Sequence, residues 1–170
     1  MPVALCYKTR HMKHVLIPTD FSIRSLRVIH SVIEKFGNEK LTIVMMHALR
    51  MSTSITELMM LSRRSAHHDL ITEDYKEACE IIRNKYASNI QLLKTEFLFG
   101  NTSAVFRNFL QYQNIDIIVC ADTDDFRLAG KDSYNPAALI NKSKYPVYRV
   151  PLTQRKEKFL VSAMSELFEA

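Results

Sequence analysis

The chain has 170 residues, of which 47% are hydrophobic, a content that favours one globular domain with a core of its own. Its formal net charge is +5, but the basic residues are scattered among acidic ones, which is typical of a mixed-charge surface rather than a nucleic-acid-binding face. The longest apolar run, Leu41 to Met46, is too short to cross a bilayer. We therefore predict no nucleic-acid partner and no membrane partner.

The cysteines and the first residues indicate the compartment. Cys6, Cys79 and Cys120 lie far apart in the sequence and form no C-x-x-C pair, which is typical of a protein in a reducing environment. The first residues lack the basic region with which a secretory signal begins. We expect a cytoplasmic protein.

The first part of the chain alternates between strand and helix signals. Residues 1–12 show no pattern and are predicted to form an N-terminal extension. "HVLIP" at 14–18 is a short apolar run, predicted to be a buried strand. A helix follows, which Ser22 can cap and Gly37 can end. "LTIVMMHA" at 41–48 is continuously apolar, as in a strand that is buried on both faces.

Residues 49–71 carry weaker signals. We interpret "SITELMMLSRR" at 54–64 as a short helix. Thr72 then caps a further helix with acidic residues in its first turn. The helical period predicts that this helix turns four side chains inward, those of Ala78, Ile81, Ile82 and Tyr86.

The same alternation continues to residue 150. We predict a strand at 90–99, a helix at 102–113, a strand at 115–121, a helix opened by Pro136 and a last strand at 147–150. This order argues for a five-stranded parallel sheet with helices on both faces. Right-handed crossovers give the strand order 3-2-1-4-5, a Rossmann-like α/β fold.

The predicted domain spans 13–151 and leaves a tail at 152–170. The tail is interpreted as an amphipathic helix whose apolar residues recur at helical spacing, namely Leu160, Met164, Leu167 and Phe168. Both packing onto its own domain and formation of a dimer fit this pattern.

Acidic residues gather where the ligand crevice of such a sheet is expected. The crevice lies at the carboxyl ends of the first and fourth strands, so Asp20 is expected to face Asp122 and Asp124. Clustered carboxylates suit Mg²⁺ or Ca²⁺, and a divalent cation stays an open alternative. The D-x-D spacing resembles that of haloacid dehalogenase-type phosphatases, but Phe126 stands where Thr or Val belongs. No nucleophile–base pair can be assembled, so we predict no catalytic residue and no enzyme.

Four segments in the same order resemble universal stress proteins. They are "HVLIPTDFS", "LTIVMMHA", "FLFGNTSAVFRNFLQYQNIDIIVCA" and "KSKYPVYRVP", which together span most of 14–151. The resemblance implies a fold like that of the adenine nucleotide alpha hydrolases. It also implies a stress-response or regulatory protein without catalysis.

The chain departs from the ATP-binding members of that family. Those members carry G-x-x-G, nine residues and G-[ST], but the glycines of this chain are only Gly37, Gly100 and Gly130. By the resemblance, the phosphate-loop positions fall on Ala121, Asp122, Asp124, Ser133 and Tyr134. A carboxylate about 4 Å from a phosphate costs about 4 kcal/mol at an effective dielectric constant near 20. We therefore expect no ATP and no other cofactor, as in the UspA-like branch.

The adenosine half of the family's site is less altered. By the resemblance, Pro18, Asp20 and Ala48 line the adenine and ribose region. Asp20 has a local alternative, an Asx-type turn at the start of the following helix. A sensor for an adenosine-type molecule or a divalent cation is therefore the second hypothesis.

The resemblance also implies a homodimer. Family dimers pair through the last strand of the sheet, which corresponds here to Val147, Tyr148, Arg149 and Val150. The first hypothesis is thus a non-enzymatic, homodimeric stress-response or regulatory protein that works without ATP and acts on protein partners that the sequence does not identify.

Overall fold

The computed structural model describes residues 12–51, 68–122 and 126–151. They form one five-stranded parallel sheet in the order β3-β2-β1-β4-β5, which confirms the predicted fold. The strands are β1 Lys13–Pro18, β2 Leu41–Leu49, β3 Ile90–Phe99, β4 Ile117–Ala121 and β5 Val147–Val150. The helices are α1 Arg27–Phe36, α2 Glu73–Lys85, α3 Ser103–Tyr112 and α4 Ala137–Lys142. The helix predicted at 54–64 and the tail at 152–170 lie outside the described residues.

The two central strands explain why the apolar runs of the sequence are continuous. Every residue of β2 is buried, and β1 pairs with β2 in parallel from Lys13–Leu41 to Pro18–Met46. Successive side chains of a strand point to opposite faces, so each strand supplies both cores. One core takes Val15, Ile17, Ile43 and Met45, and the other takes Leu16, Val44 and Met46.

The helices cover both faces of the sheet, as predicted. The first core contains the buried side of α1 and α2, and the second contains that of α3 and α4. None of the helices in the described ranges combines the length and the apolarity that a bilayer crossing needs.

The helix boundaries depend on side-chain caps and, at Gly37, on a close contact with the backbone. Ser22 and Thr72 each accept a hydrogen bond from the backbone N–H three residues later. Thr72 thus caps α2 as predicted, whereas Ser22 caps a 3-10 turn at Ile23–Leu26 that leads into α1. Gly37 follows α1 with a φ of −64°, outside the left-handed region. A Cβ there would lie 2.4 Å from the carbonyl oxygen of Ile33. Glycine is therefore needed at this position for space and not for an unusual backbone angle.

One predicted inward residue of α2 is exposed. Ile81 is 65% exposed, so its prediction was wrong, whereas Ile82 is buried. The buried stripe of α2 follows Tyr75, Cys79 and Ile82, which recur at four and three residues. Ile81 lies one position beside that stripe and faces away from the sheet.

Candidate functional site

A cleft of about 170 Å³ lies at the carboxyl ends of β1 and β4. Pro18, Asp20, Ala121 and Asp122 line it, together with Ala137 at the start of α4. This is the position that the topology predicts for a ligand crevice. The cleft is smaller than the roughly 300–1,000 Å³ of pockets that bury drug-sized ligands.

The carboxylate of Asp20 is held within the protein. Oδ1 accepts hydrogen bonds from the backbone N–H of Ser22 at 3.0 Å and from its hydroxyl at 2.5 Å. Oδ2 accepts from the backbone N–H of Arg127 at 3.1 Å. The first pair of contacts is the Asx-type turn that the sequence offered as an alternative. Asp20 therefore ties the loop after β1 to the segment that follows residue 125.

Phe21 follows in an uncommon conformation for an aromatic residue, with a φ of 60°. Its N–H donates to the hydroxyl of Thr19 at 3.1 Å, and its ring stacks on His47 with 4.4 Å between centroids. The Thr19 hydroxyl also lies 2.9 Å from the Ser25 hydroxyl and 3.0 Å from that of Tyr75. Burial raises the pKa of Tyr75 well above its ordinary value, so its hydroxyl keeps the proton. The loop after β1 is thereby fastened to α2.

His47 is fully buried near the end of β2 and holds two hydrogen bonds. Its Nδ1 lies 2.7 Å from the carbonyl oxygen of Thr19, which only accepts, so Nδ1 carries the hydrogen. Its Nε2 then accepts from the hydroxyl of Ser133 at 2.8 Å. Burial lowers the pKa of His47, although the Thr19 carbonyl and the charge of Asp20 oppose that effect. A neutral ring fits both hydrogen bonds.

The chain between residues 130 and 134 lies on the end of β2. The N–H of Arg50 donates to the carbonyl of Asp132 at 2.8 Å, and the N–H of Tyr134 donates to the carbonyl of Ala48 at 3.1 Å. An antiparallel bridge joins Leu49 to Ser133 between these two bonds. We call residues 130–134 the β2 cover.

Side chains of the β2 cover complete its attachment. The hydroxyl of Tyr134 donates to the carbonyl of Gly100 at 2.6 Å. The hydroxyl oxygen of Ser133 accepts from the N–H of Gly130 at 3.0 Å. A Cβ at Gly130 would lie 2.9 Å from a methyl group of Leu70, so the cover also packs closely against the chain before α2.

The structure thus divides the predicted site residues into two groups. The cleft holds Pro18, Asp20, Ala121 and Asp122, whereas Ala48, Ser133 and Tyr134 lie together under and in the β2 cover. Asp122 is exposed, and its N–H donates to the carbonyl of Val150 at 2.8 Å. Asp124 lies outside the described residues.

The described residues offer little for metal or thiol chemistry. Within 12–51, 68–122 and 126–151, no three His, Cys, Asp or Glu side chains cluster as metal ligands would. Cys120 lines the cleft, and burial raises the pKa of its thiol to about 11 even though Arg149 lies nearby. At neutral pH this thiol keeps its proton and is a poor nucleophile.

Sequence reasoning missed the hydrogen-bonded pair of His47 and Ser133. A histidine inside an apolar strand signals that some buried partner exists, because an unpaired buried polar group is costly. That signal does not say which residue, 86 positions away, is the partner. His47 and Ser133 are 0% and 3% exposed, so the pair holds a segment in place and offers no access to a substrate.

The strand predicted to pair across a dimer lies at an edge of the sheet. β5 pairs with β4 through Ile118–Val147 to Ala121–Val150. Val147 is 37% exposed and Val150 is buried. The role of Val147, Tyr148, Arg149 and Val150 in a dimer stays a prediction.

Comparison with known proteins identifies the fold. No family model and no curated protein sequence matches the chain. Among solved structures, it is similar to the hypothetical protein MJ0577, with a TM-score of 0.52 and 19% identity over 83% of this chain and 96% of that one. The universal stress protein UspA from Lactobacillus plantarum gives 0.52 and 16% identity, covering 81% and 97% of the two chains. The universal stress protein from Archaeoglobus fulgidus gives 0.50 and 17% identity, covering 81% and 92%. The chain therefore has the universal stress protein fold.

Proposed function

We propose that the protein is a non-enzymatic stress-response or regulatory protein of the UspA-like type, which acts in the cytoplasm as a homodimer and without ATP in a glycine loop. Two observations support this proposal. The fold is that of universal stress proteins, and the glycine positions of the phosphate loop carry Ala121, Asp124 and the pair Ser133–Tyr134.

The β2 cover carries the argument against a triphosphate. A phosphate loop binds through backbone N–H groups that are free to donate and close enough to reach the oxygens. In the cover, the N–H of Tyr134 donates to Ala48 and that of Gly130 to the Ser133 hydroxyl. Each such bond contributes about 0.5–1.5 kcal/mol, and a ligand would have to replace it. Backbone donors that are already occupied therefore favour a protein that does without the triphosphate.

Among the residues that the structure describes, the lack of an accessible nucleophile–base pair favours a non-enzymatic role. A hydroxyl nucleophile needs a base beside it and a substrate within reach. Ser133 and His47 meet the first condition, but their burial excludes the second. The thiol of Cys120 reaches the cleft in its protonated form.

A thermal-shift series with ATP, AMP and adenosine, each with and without Mg²⁺, tests the nucleotide part of the proposal. A ligand at about 100 times its Kd raises the free energy of unfolding by about 2.7 kcal/mol, which is a rise in Tm of several degrees for a domain of this size. We expect ATP to give no rise beyond that given by adenosine. A larger rise with ATP would show that the triphosphate is bound and would contradict the proposal.

The homodimer is tested by light scattering. A dimer gives about twice the chain mass of 19.7 kDa. Val147→Lys places a charge on the exposed edge at β5 and is expected to shift the protein to the monomer, because a desolvated lysine opposes pairing. Leu92→Lys is the matched control, since Leu92 is 47% exposed on β3 at the opposite edge. A wild-type monomer, or dissociation caused by Leu92→Lys alone, would contradict pairing through β5.

The cleft favours a second candidate, a sensor for a ligand smaller than a nucleotide. Its volume of about 170 Å³ and its lining by Asp20 and Asp122 suit an adenosine fragment or a cation. In the same thermal-shift series, a rise with adenosine, Mg²⁺ or Ca²⁺ that is lost in Asp122→Asn would support this candidate. No rise with any of them would leave the first function in place.

A further inference from the structure

A second groove, of about 380 Å³, lies between α3 and α4. The cleft takes Ala137 and Asn141 from α4, whereas the groove takes Leu139 and Lys142. The cleft and the groove share none of their described lining residues. The groove is therefore a separate surface from the cleft at the ends of β1 and β4.

The floor of the groove is closed. It consists of Phe106, Leu110 and Leu139, which are 1%, 0% and 8% exposed because their side chains pack in the second core. The floor leaves no apolar surface on which a nucleotide base or an acyl chain could pack. An occupant of this groove must therefore bind through its polar rim.

The rim of the groove is cationic. Arg107 of α3, Lys142 at the end of α4 and Lys144 two residues later line it, and all three are exposed. None of the lining residues in the described ranges is acidic. Ser103 and Gln111 add a hydroxyl and an amide, and they lie four residues before and after Arg107, on the same side of α3. The rim thus offers hydrogen-bond donors together with positive charge.

The protein does not neutralise these three cations. In the part of the chain that the structure describes, none of them forms an ion pair. By contrast, Nζ of Lys76 in α2 lies 2.6 Å from a carboxylate oxygen of Glu73. Like charges around one groove repel each other, and an anion placed between them relieves that repulsion.

The two faces of the sheet differ in charge in the same sense. α2, on one face, mixes acidic and basic residues in the sequence EDYKEACEIIRNK. α3 and α4, on the other, have the sequences SAVFRNFLQY and AALINK, in which no residue is acidic. A concave surface that is lined by one sign of charge above a low-dielectric wall focuses the electric field and concentrates ions of the opposite sign. The closed apolar floor is such a wall.

The side chains of the rim indicate the chemistry of the anion. An arginine guanidinium matches two oxygens of one phosphate or carboxylate group, and lysine ammonium groups act as point charges. A phosphate monoester carries a charge of about −1.5 to −2 at pH 7, so one or two such groups balance the three cations. The groove volume is near the lower end of the roughly 300–1,000 Å³ found for ligand pockets, which favours a compact molecule.

We propose that the α3–α4 groove binds a compact phosphorylated molecule, smaller than a nucleotide, through Arg107, Lys142 and Lys144. The guanidinium binds phosphate oxygens, and the two ammonium groups neutralise the remaining charge. The inference goes beyond the proposed function, because the groove and the cleft are separate sites.

Isothermal titration calorimetry of the full chain with inorganic pyrophosphate tests the proposal. The groove variant combines Arg107→Gln, Lys142→Gln and Lys144→Gln. We expect its Kd for pyrophosphate to be at least about tenfold higher than that of the wild type, because each substitution removes a charge-assisted contact. Exposed substitutions of this kind rarely unfold a domain, and equal urea midpoints of variant and wild type verify that it stays folded.

The matched control removes the same charges from α2. It combines Lys76→Gln, Arg83→Gln and Lys85→Gln, and these three residues are exposed like those of the groove. Both variants lose one arginine and two lysines, so the net charge of the protein falls equally. We expect the control to bind pyrophosphate within about twofold of the wild type, because distant exposed charges are screened by salt.

Several outcomes would overturn the proposal. One is a wild type that does not bind pyrophosphate, and another is an equal loss of affinity in the groove variant and the control, since only net charge would then matter. Binding to phosphatidic acid vesicles without binding to pyrophosphate would also overturn it, because the rim would then serve a membrane surface. Asp122→Asn, in the cleft, is expected to leave pyrophosphate binding unchanged, which keeps this test independent of the one for the cleft.

Discussion

The carboxyl end of β2 lies beside the carboxyl ends of β1 and β4 on one sheet. The end of β2 is covered, whereas the ends of β1 and β4 are open. At β2, the β2 cover closes the strand end with an antiparallel bridge at Leu49. At β1 and β4, a cleft of about 170 Å³ remains. The difference teaches that residues 130–134, in the chain after β4, support the end of β2 from within, whereas the ends of β1 and β4 are left open.

The side chains at positions 133 and 134 make this support possible. A glycine at position 133 would give Nε2 of His47 no hydroxyl partner, and a glycine at 134 would give the carbonyl of Gly100 no phenol. Ser133 and Tyr134 therefore attach the β2 cover through side-chain atoms that a glycine lacks.

The largest expected loss of stability comes from substitutions at the covered end of β2. His47→Ala removes a buried ring and leaves the Thr19 carbonyl and the Ser133 hydroxyl without their partner, so we expect the free energy of unfolding to fall by about 3 kcal/mol or more. Ser133→Ala is expected to cost about 1–3 kcal/mol, because Nε2 of His47 is left unsatisfied. Urea unfolding measures both values.

The control for these variants is Ser88→Ala, which removes a hydroxyl from an exposed site. Its effect is expected to stay within about 0.5 kcal/mol. In the double variant of His47 and Ser133, the losses are expected to be less than additive, since the two side chains share one hydrogen bond. Fully additive losses would mean that this bond contributes nothing to closure.

A smaller effect on stability is expected to distinguish Asp20 from Asp122, the two carboxylates at the cleft. Asp20→Ala removes the acceptor of three hydrogen bonds and is expected to cost about 2 kcal/mol. Asp122→Ala, at an exposed position of the same cleft, is expected to change stability by no more than about 0.5 kcal/mol. Thermal unfolding of both variants measures the difference. Equal losses would show that the carboxylate of Asp20 does not support the loop.

The smallest effect comes from pH. Burial lowers the pKa of His47, so below its ordinary value of 6.5 the unfolded chain binds the proton more readily than the folded one. Stability is therefore fully present above that value and falls as pH drops through the lowered pKa. His30, whose pKa burial also lowers, contributes in the same direction.

Urea unfolding of His47→Gln and wild type between about pH 7.5 and about pH 5.5 measures this dependence. The variant is expected to lose less stability across the interval than the wild type does, and His30→Gln serves as the comparison for the second histidine. An unchanged slope in His47→Gln would mean that the buried ring does not resist protonation.

The sequence by itself determined most of the fold. The apolar runs of β1 and β2 and the caps at Ser22 and Thr72 follow from local patterns, because each depends on neighbours only a few residues away. The order of the strands followed from the handedness of the crossovers. The position of the cleft followed from the topology of parallel strands. The prediction for Ile81 was wrong because the surface on which α2 packs determines which side of the helix is buried.

Only the tertiary structure decided what the loop after β4 does. The alignment of glycine positions grouped Ser133 and Tyr134 with Ala121 in one phosphate loop. In the folded chain, Ser133 and Tyr134 lie at the end of β2 instead. His47 and Ser133 are 86 residues apart, and no local pattern pairs them. Their contact forms only after the strands have assembled and the segment that holds Ser133 lies over the end of β2. Buried donors and acceptors then determine its position, because each needs a partner.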